Sequence, residues 1–87
     1  TPNTEYETIG TNIYRVDGGM DIDNANNLIG TKIPDGDYET LAGFVLYILG
    51  EIPSEGDHFN YRNFRLQVVS MKEIKIEHVE IIVYDNK

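Results

Sequence analysis

The sequence predicts an α+β fold, a two-layer sandwich in which a small, mostly antiparallel sheet carries two helices. Three observations predict it. Within residues 37–50, Leu41, Phe44, Val45, Ile48 and Leu49 fall at i, i+3, i+4, i+7 and i+8, the apolar stripe of one helix. Phe64, Leu66 and Val68 alternate with Arg65 and Gln67, the period of a strand with one buried face. The chain has 87 residues, enough for one two-layer core and too few for two.

Residues 1–5 read as a linker and residues 6–87 as the domain. Residues 6–9 and 13–16 read as two short strands around a turn at Gly10-Thr11-Asn12. Asp17-Gly18-Gly19 ends the second strand, because paired glycines favour a break. Asp21 or Asp23 then caps a short helix with Ile22, Ala25, Leu28 and Ile29 on one side and Gly30 at its end. Pro34 cannot extend that helix, so residues 33–37 form a turn into the central one.

The central helix is the most apolar segment. Asp37 is placed to cap its start, and Gly50, with Pro53 beyond, to end it. Ala42 and Leu46 widen its stripe and leave Glu39, Thr40, Gly43 and Tyr47 for a thin polar face. Gly43 costs a helix about 1 kcal/mol relative to alanine, so another backbone is expected to approach it closely. That backbone is either a strand of the same domain or a partner. Thr40, Gly43 and Tyr47 are therefore the candidate docking patch.

Residues 51–57 form a surface connection. Residues 58–61 and 64–71 make a hairpin across Arg62-Asn63, with Asn63 suited to the positive φ of the turn. The last strand, residues 74–84, has a defect. Ile74 and Ile76 set one parity, and Val79, Ile81 and Val83 the other. A period of two survives that shift only with a bulge or bend near Glu77-His78-Val79.

Composition excludes several classes of function. Cysteine is absent, which removes disulfides, thiol catalysis and thiolate metal sites and fits a reducing cytoplasm. The net charge of −8 argues against nucleic-acid and anionic-membrane contact; it is compatible with cation attraction, the plainer reading being an acidic surface kept soluble by self-repulsion. No apolar run reaches about 18 residues, so this stretch does not insert into a membrane. The sequence starts at Thr1-Pro2 rather than methionine, which reads as a piece of a longer protein.

Chemistry-bearing residues are few. Asp21, Asp23, Asp35 and Asp37 cluster in sequence, and hard cations such as Mg²⁺ or Ca²⁺ need such oxygen-rich clusters. The EF-hand spacing fails, because Lys32 stands where its terminal Glu belongs. The alternative makes Asp21, Asp23 and Asp37 helix caps or first-turn acids. His58 and His78 lack the further ligands that zinc needs. Ser54 and Ser70 lack a nucleophile context, and Gly18-Gly19 lacks the lysine of a phosphate loop. The residues point to no enzyme. The six tyrosines read as core edges with outward hydroxyls, Tyr47 being the exception on the polar helix face.

Asp37-Tyr38-Glu39-Thr40-Leu41-Ala42-Gly43, followed by Leu49-Gly50-Glu51-Ile52-Pro53-Ser54-Glu55-Gly56-Asp57, resembles the transporter-associated domain of CorC/HlyC type. Tyr14-Arg15-Val16-Asp17-Gly18, Asn27-Leu28-Ile29-Gly30 and Tyr61-Arg62-Asn63-Phe64-Arg65-Leu66-Gln67-Val68 extend the likeness over about residues 6–83. Arg62-Asn63 departs from the family's usual glycine pair, and the last strand is less basic. The resemblance implies a C-terminal module at the cytoplasmic face of the plasma membrane, within a multi-pass protein. Such parents carry a CBS-domain pair before it and are called hemolysin-like or linked to magnesium and cobalt efflux. Its implied partners are the CBS pair and transmembrane domains of the same chain, or a second copy. The family's fold is similar to the FAD-binding domain of PCMH type, so FAD enters by fold analogy alone. No catalytic residue carries over.

Overall fold

The computed structural model describes residues 6–84; the expected linker at 1–5 lies outside the described residues, as do the last three residues of the chain. Five strands, β1 (Tyr6–Gly10), β2 (Ile13–Asp17), β3 (His58–Tyr61), β4 (Phe64–Lys72) and β5 (Lys75–Val83), form one sheet in the order β1-β2-β5-β4-β3. Every pairing is antiparallel. Helix α1 begins as Ile22–Asn24 and continues as a π-helical turn, Ala25–Ile29. Helix α2 spans Leu41–Leu49. Its nine residues rise about 14 Å, half of a bilayer's hydrocarbon core, and no described helix is long and apolar enough to cross a membrane.

The alternating pattern buries Phe64, Leu66 and Val68 of β4 against Val79 and Ile81 of β5, with Val16 of β2 beside them. Leu41, Phe44 and Val45 of α2 and Ile22, Ala25 and Ile29 of α1 complete the core. Phe44 is its centre, with ring centroids 5.0 Å from Tyr38 and Tyr61, 6.0 Å from Phe59 and 6.5 Å from Phe64. The contacts with Tyr38, Tyr61 and Phe59 are edge-on and add to simple burial.

The expected irregularity in the last strand is present, and both strands share it. Val68 pairs with Val79, Ser70 with His78 and Met71 with Ile76, so β4 passes over Val69 and β5 over Glu77. Ile76 and Val79 thereby both point inward. The Glu77 carbonyl, released from the ladder, accepts the Gly18 amide at 2.9 Å. A Cβ on Gly18 would lie 2.5 Å from the Ile76 carbonyl oxygen, so only glycine fits.

Four local expectations are corrected. Helix α2 starts at Leu41, and its cap is Thr40 rather than Asp37. The cause is tertiary. Ile22 donates to the Glu39 carbonyl at 3.0 Å and Leu41 to Met20 at 2.9 Å, which holds residues 39–40 extended. Leu28 is 50% exposed, because the wider π turn, closed by Gly30 N–H on the Ala25 carbonyl, carries it off the buried side. At the β3–β4 turn the positive φ of 49° belongs to Arg62, not Asn63. The Asn63 amide is engaged elsewhere, donating to the Gly30 carbonyl at 2.9 Å. Ile74 is 71% exposed in the β4–β5 turn, and β5 begins after it.

The other end of α2 is as expected, with left-handed Gly50 donating to Leu46 at 2.8 Å. One clasp has no signal in the sequence. The Asn26 side-chain oxygen accepts from Thr31 Oγ1 at 2.8 Å and from the Ile33 amide at 3.0 Å, while its Nδ2 donates to the Ile33 carbonyl at 2.9 Å. It folds residues 31–33 back onto α1.

Candidate functional site

Past the clasp, the chain runs through Pro34 to a tight turn in which Gly36 pairs with Tyr38 across Asp37. Residue 21 then pairs with Thr40. These two limbs, the start of α1 and residues 35–39, enclose a cleft of about 390 Å³. It is lined by Asp21, Ile22, Asp23, Asp35, Gly36, Tyr38 and Glu39. Asp21 occupies the cap position of α1, but its carboxylate makes no capping bond.

Three of the four aspartates expected to hold a cation, Asp21, Asp23 and Asp35, thus share one cleft. Asp37 does not line it, because it sits at the tip of the Gly36–Tyr38 turn. Glu39, assigned by the sequence to a helix face, lines it instead, because residue 39 is extended. The sequence signal for Glu39 is its spacing of four from Asp35, which an extended limb folded at Asp37 turns to one side. Among the described residues, no three acids or histidines stand close enough to hold one ion together. The cleft is lined by four carboxylates and offers no ready coordination shell among the described residues.

Tyr38 is its aromatic wall. The phenol donates to the Pro34 carbonyl at 2.6 Å, and a Cβ on Gly36 would lie 2.5 Å from the ring. Partial burial, then the neighbouring Tyr61 and Tyr47 hydroxyls and the Asp35 carboxylate, push the phenol above its ordinary range, with Arg62 opposing. The other side of the ring packs on α2, with its centroid 5.2 Å from that of Tyr47.

Close to Gly43 stands a side chain of the same domain rather than a strand: a Cβ there would lie 3.3 Å from the Tyr38 Cβ. Thr40 is also used internally, its Oγ1 accepting the Gly43 amide at 3.2 Å. Of the docking triplet only Tyr47 is open, at 61% exposure. Beside it Leu46 is 40% exposed, and α2 carries no charged residue on any side.

One further cluster is brought together by the shared bulge. Ser70 Oγ lies 3.1 Å from His78 Nδ1 and 3.4 Å from Glu77, whose carboxylate is 4.0 Å from the same nitrogen. A nucleophilic triad needs serine and acid on opposite ring nitrogens. Here both face Nδ1, and the grouping is a surface hydrogen-bond cluster.

The model of the CorC/HlyC family, described as the transporter-associated domain, matches residues 2–84. The chain belongs to this family. Among relatives, the polyamine export protein of Salmonella typhimurium is 31% identical over 78 residues, covering 87% of this chain and 17% of that protein. The magnesium and cobalt efflux protein CorC of Buchnera aphidicola is 27% identical over 75 residues, covering 86% and 26%. This transporter-associated domain therefore spans about a sixth to a quarter of those proteins. Its fold matches a hemolysin domain from Enterococcus faecalis with a TM-score of 0.86 at 31% identity, covering 94% of this chain and all of that one. It also matches, with a TM-score of 0.83 at 22% identity, a Xylella fastidiosa transporter-associated domain described in complex with Mg²⁺ and Mn²⁺, over 94% of this chain and all of that one. None of these four descriptions names a flavin, and the FAD-binding likeness expected of the fold is not among them. The family is one of transporter-associated domains rather than of enzymes.

Proposed function

We propose that this domain is a non-catalytic regulatory module of a multi-pass membrane transporter of cations or polyamines. It lies at the cytoplasmic face, after a CBS pair, and adjusts transport by docking against neighbouring domains or a second subunit. One observation carries the reading. The outward side of α2 presents Leu46 and Tyr47 to solvent with no charged residue on the helix, and a helix apolar all round is ordinarily covered. The test is co-sedimentation and crosslinking of this chain with the CBS pair of its parent. Association that Tyr47→Ser weakens is expected; no association at any cation or nucleotide concentration would refute the reading.

A second reading is supported by the cleft. Four carboxylates and a tyrosine face it, the relatives are named for polyamine and divalent-metal export, and a neighbour of the same fold is described with Mg²⁺ and Mn²⁺. On this reading the domain senses cations. Titration calorimetry with Mg²⁺, Mn²⁺, Ca²⁺, spermidine and FAD tests it, and flat heats throughout would remove it.

A further inference from the structure

The α2 face also carries a signature of what covers it. Between Asp35 and Asp57 the chain holds six acids, Asp35, Asp37, Glu39, Glu51, Glu55 and Asp57, and neither lysine nor arginine. All six are exposed, two of them with carboxylates already engaged: Glu55 accepts the Met71 amide and Asp57 the Ser54 amide, each at 2.9 Å. Glu39 stands just before the Thr40 cap and Glu51 just after the Gly50 cap, so each end of the apolar helix is bordered by an acid. Ile52, 54% exposed, extends the apolar surface past the helix end. The cations flanking this stretch in sequence are Lys32 and Arg62, and Arg62 lies over the Tyr61 ring at 5.7 Å. Two copies of this face would bring acid against acid, in a chain whose net charge is −8. Like charges across an interface disfavour that pairing. An apolar strip with an acidic border complements a helix that is apolar on one side and basic at its edges.

We propose that the occupant of the α2 face is a basic amphipathic helix from elsewhere in the parent protein, its apolar side on Leu46 and Tyr47 and its lysines or arginines against the acidic border. This rests on the docking reading above and adds the chemistry of the partner. The Enterococcus domain matched along its whole length is a separately solved unit of this fold, so the isolated chain is a suitable binding partner in solution.

The test has two arms. In the first, an amphipathic Leu/Lys peptide of about 18 residues and its Leu/Glu counterpart are titrated into the isolated chain. The lysine peptide is expected to bind, with amide shifts on α2 and affinity falling several-fold as salt rises from about 50 to about 300 mM. Leu46→Ser with Tyr47→Ser should weaken it by about tenfold or more, while Ile74→Ser, in the β4–β5 turn, should leave it unchanged. Glu39→Gln with Glu51→Gln should flatten the salt dependence. Equal binding of the glutamate peptide, or unchanged binding by the Leu46/Tyr47 variant, overturns the proposal. In the second arm, benzoyl-phenylalanine replaces Tyr47 in the intact parent, and the crosslinked segment is identified. A segment with apolar residues at helical spacing and flanking lysine or arginine is expected. Capture of an acidic or uncharged segment overturns the basic-helix proposal and leaves the docking reading standing. No crosslink overturns both.

Discussion

Replacing Asn26 with alanine removes the clasp that turns residues 31–33 back onto α1 and so sets where the Asp35 limb of the cleft begins. Three hydrogen bonds go at once: two accepted by the side-chain oxygen, from Thr31 Oγ1 and the Ile33 amide, and one donated to the Ile33 carbonyl. Thr31 is 3% exposed, so its hydroxyl finds no easy water. At about 1 kcal/mol for each bond the loss is about 3 kcal/mol, reduced to about 2 where water reaches the Ile33 groups. A domain of this size has total stability of about 4 to 13 kcal/mol, so the loss is a large fraction. With a urea m-value of about 1 kcal/mol/M, the midpoint of denaturation should fall by about 2 to 3 M. Thr31→Val removes one of the three bonds and should cost about 1 kcal/mol. In the double variant that bond is lost only once, so the two costs should fall short of additivity by about 1 kcal/mol. A midpoint shift below about 0.5 M for Asn26→Ala, or strict additivity with Thr31→Val, would refute the clasp.

Phe44→Ala empties the space between four aromatic rings and should cost about 3 to 5 kcal/mol, read as a loss of most cooperative thermal unfolding. Gly18→Ala sets a methyl against the Ile76 carbonyl and should cost about 1 to 3 kcal/mol by chemical denaturation, with the Gly18 amide losing its hydrogen-exchange protection. The Tyr38 phenol ionises at higher pH folded than unfolded. The stability it contributes is therefore full below the unfolded tyrosine range near about pH 10 and declines as pH rises through the folded value. Denaturation of wild type and Tyr38→Phe between about pH 8 and 11 should show a stability difference that shrinks at the alkaline end.

Elements held by local pattern were readable in the sequence, and those held by distant partners were not. Phe64, Leu66 and Val68 announce a strand wherever they are placed, and the parity break between Ile76 and Val79 forces a bulge whatever the neighbour. The C-terminus of α2 was equally plain, since Gly50 supplies the left-handed residue itself. Its start was not. Asp37 and Thr40 are both good caps, and the choice is made by Met20 and Ile22, which lie far back in the chain and pair with residues 39–41. The same pairing explains the cleft. Asp21, Asp23 and Asp35 could be grouped because they cluster in sequence. Removing Asp37 and adding Glu39 required knowing that the limb is extended with a turn at Asp37. Tyr38 read as a core edge, yet its ring is the wall between cleft and helix. Asn26 gave no warning, because a polar residue inside a short helix ordinarily faces water.

The double skip in the β4–β5 ladder constrains how this sequence can change length. Val69 on one strand and Glu77 on the other cancel, so the partners Met71–Ile76 and Lys72–Lys75 return to the alignment that Val68–Val79 began. Deleting either residue alone leaves an unmatched frameshift in the pairing. The partners toward the tip then sit one position out of the alignment that Val68–Val79 began, with a single bulge left to absorb the difference. Deleting both together keeps the alignment but takes away the carbonyl that receives Gly18. Gain or loss of a residue in this hairpin therefore keeps the alignment of its two halves only as a matched pair, and losing Val69 with Glu77 also leaves the segment entering α1 in need of another anchor.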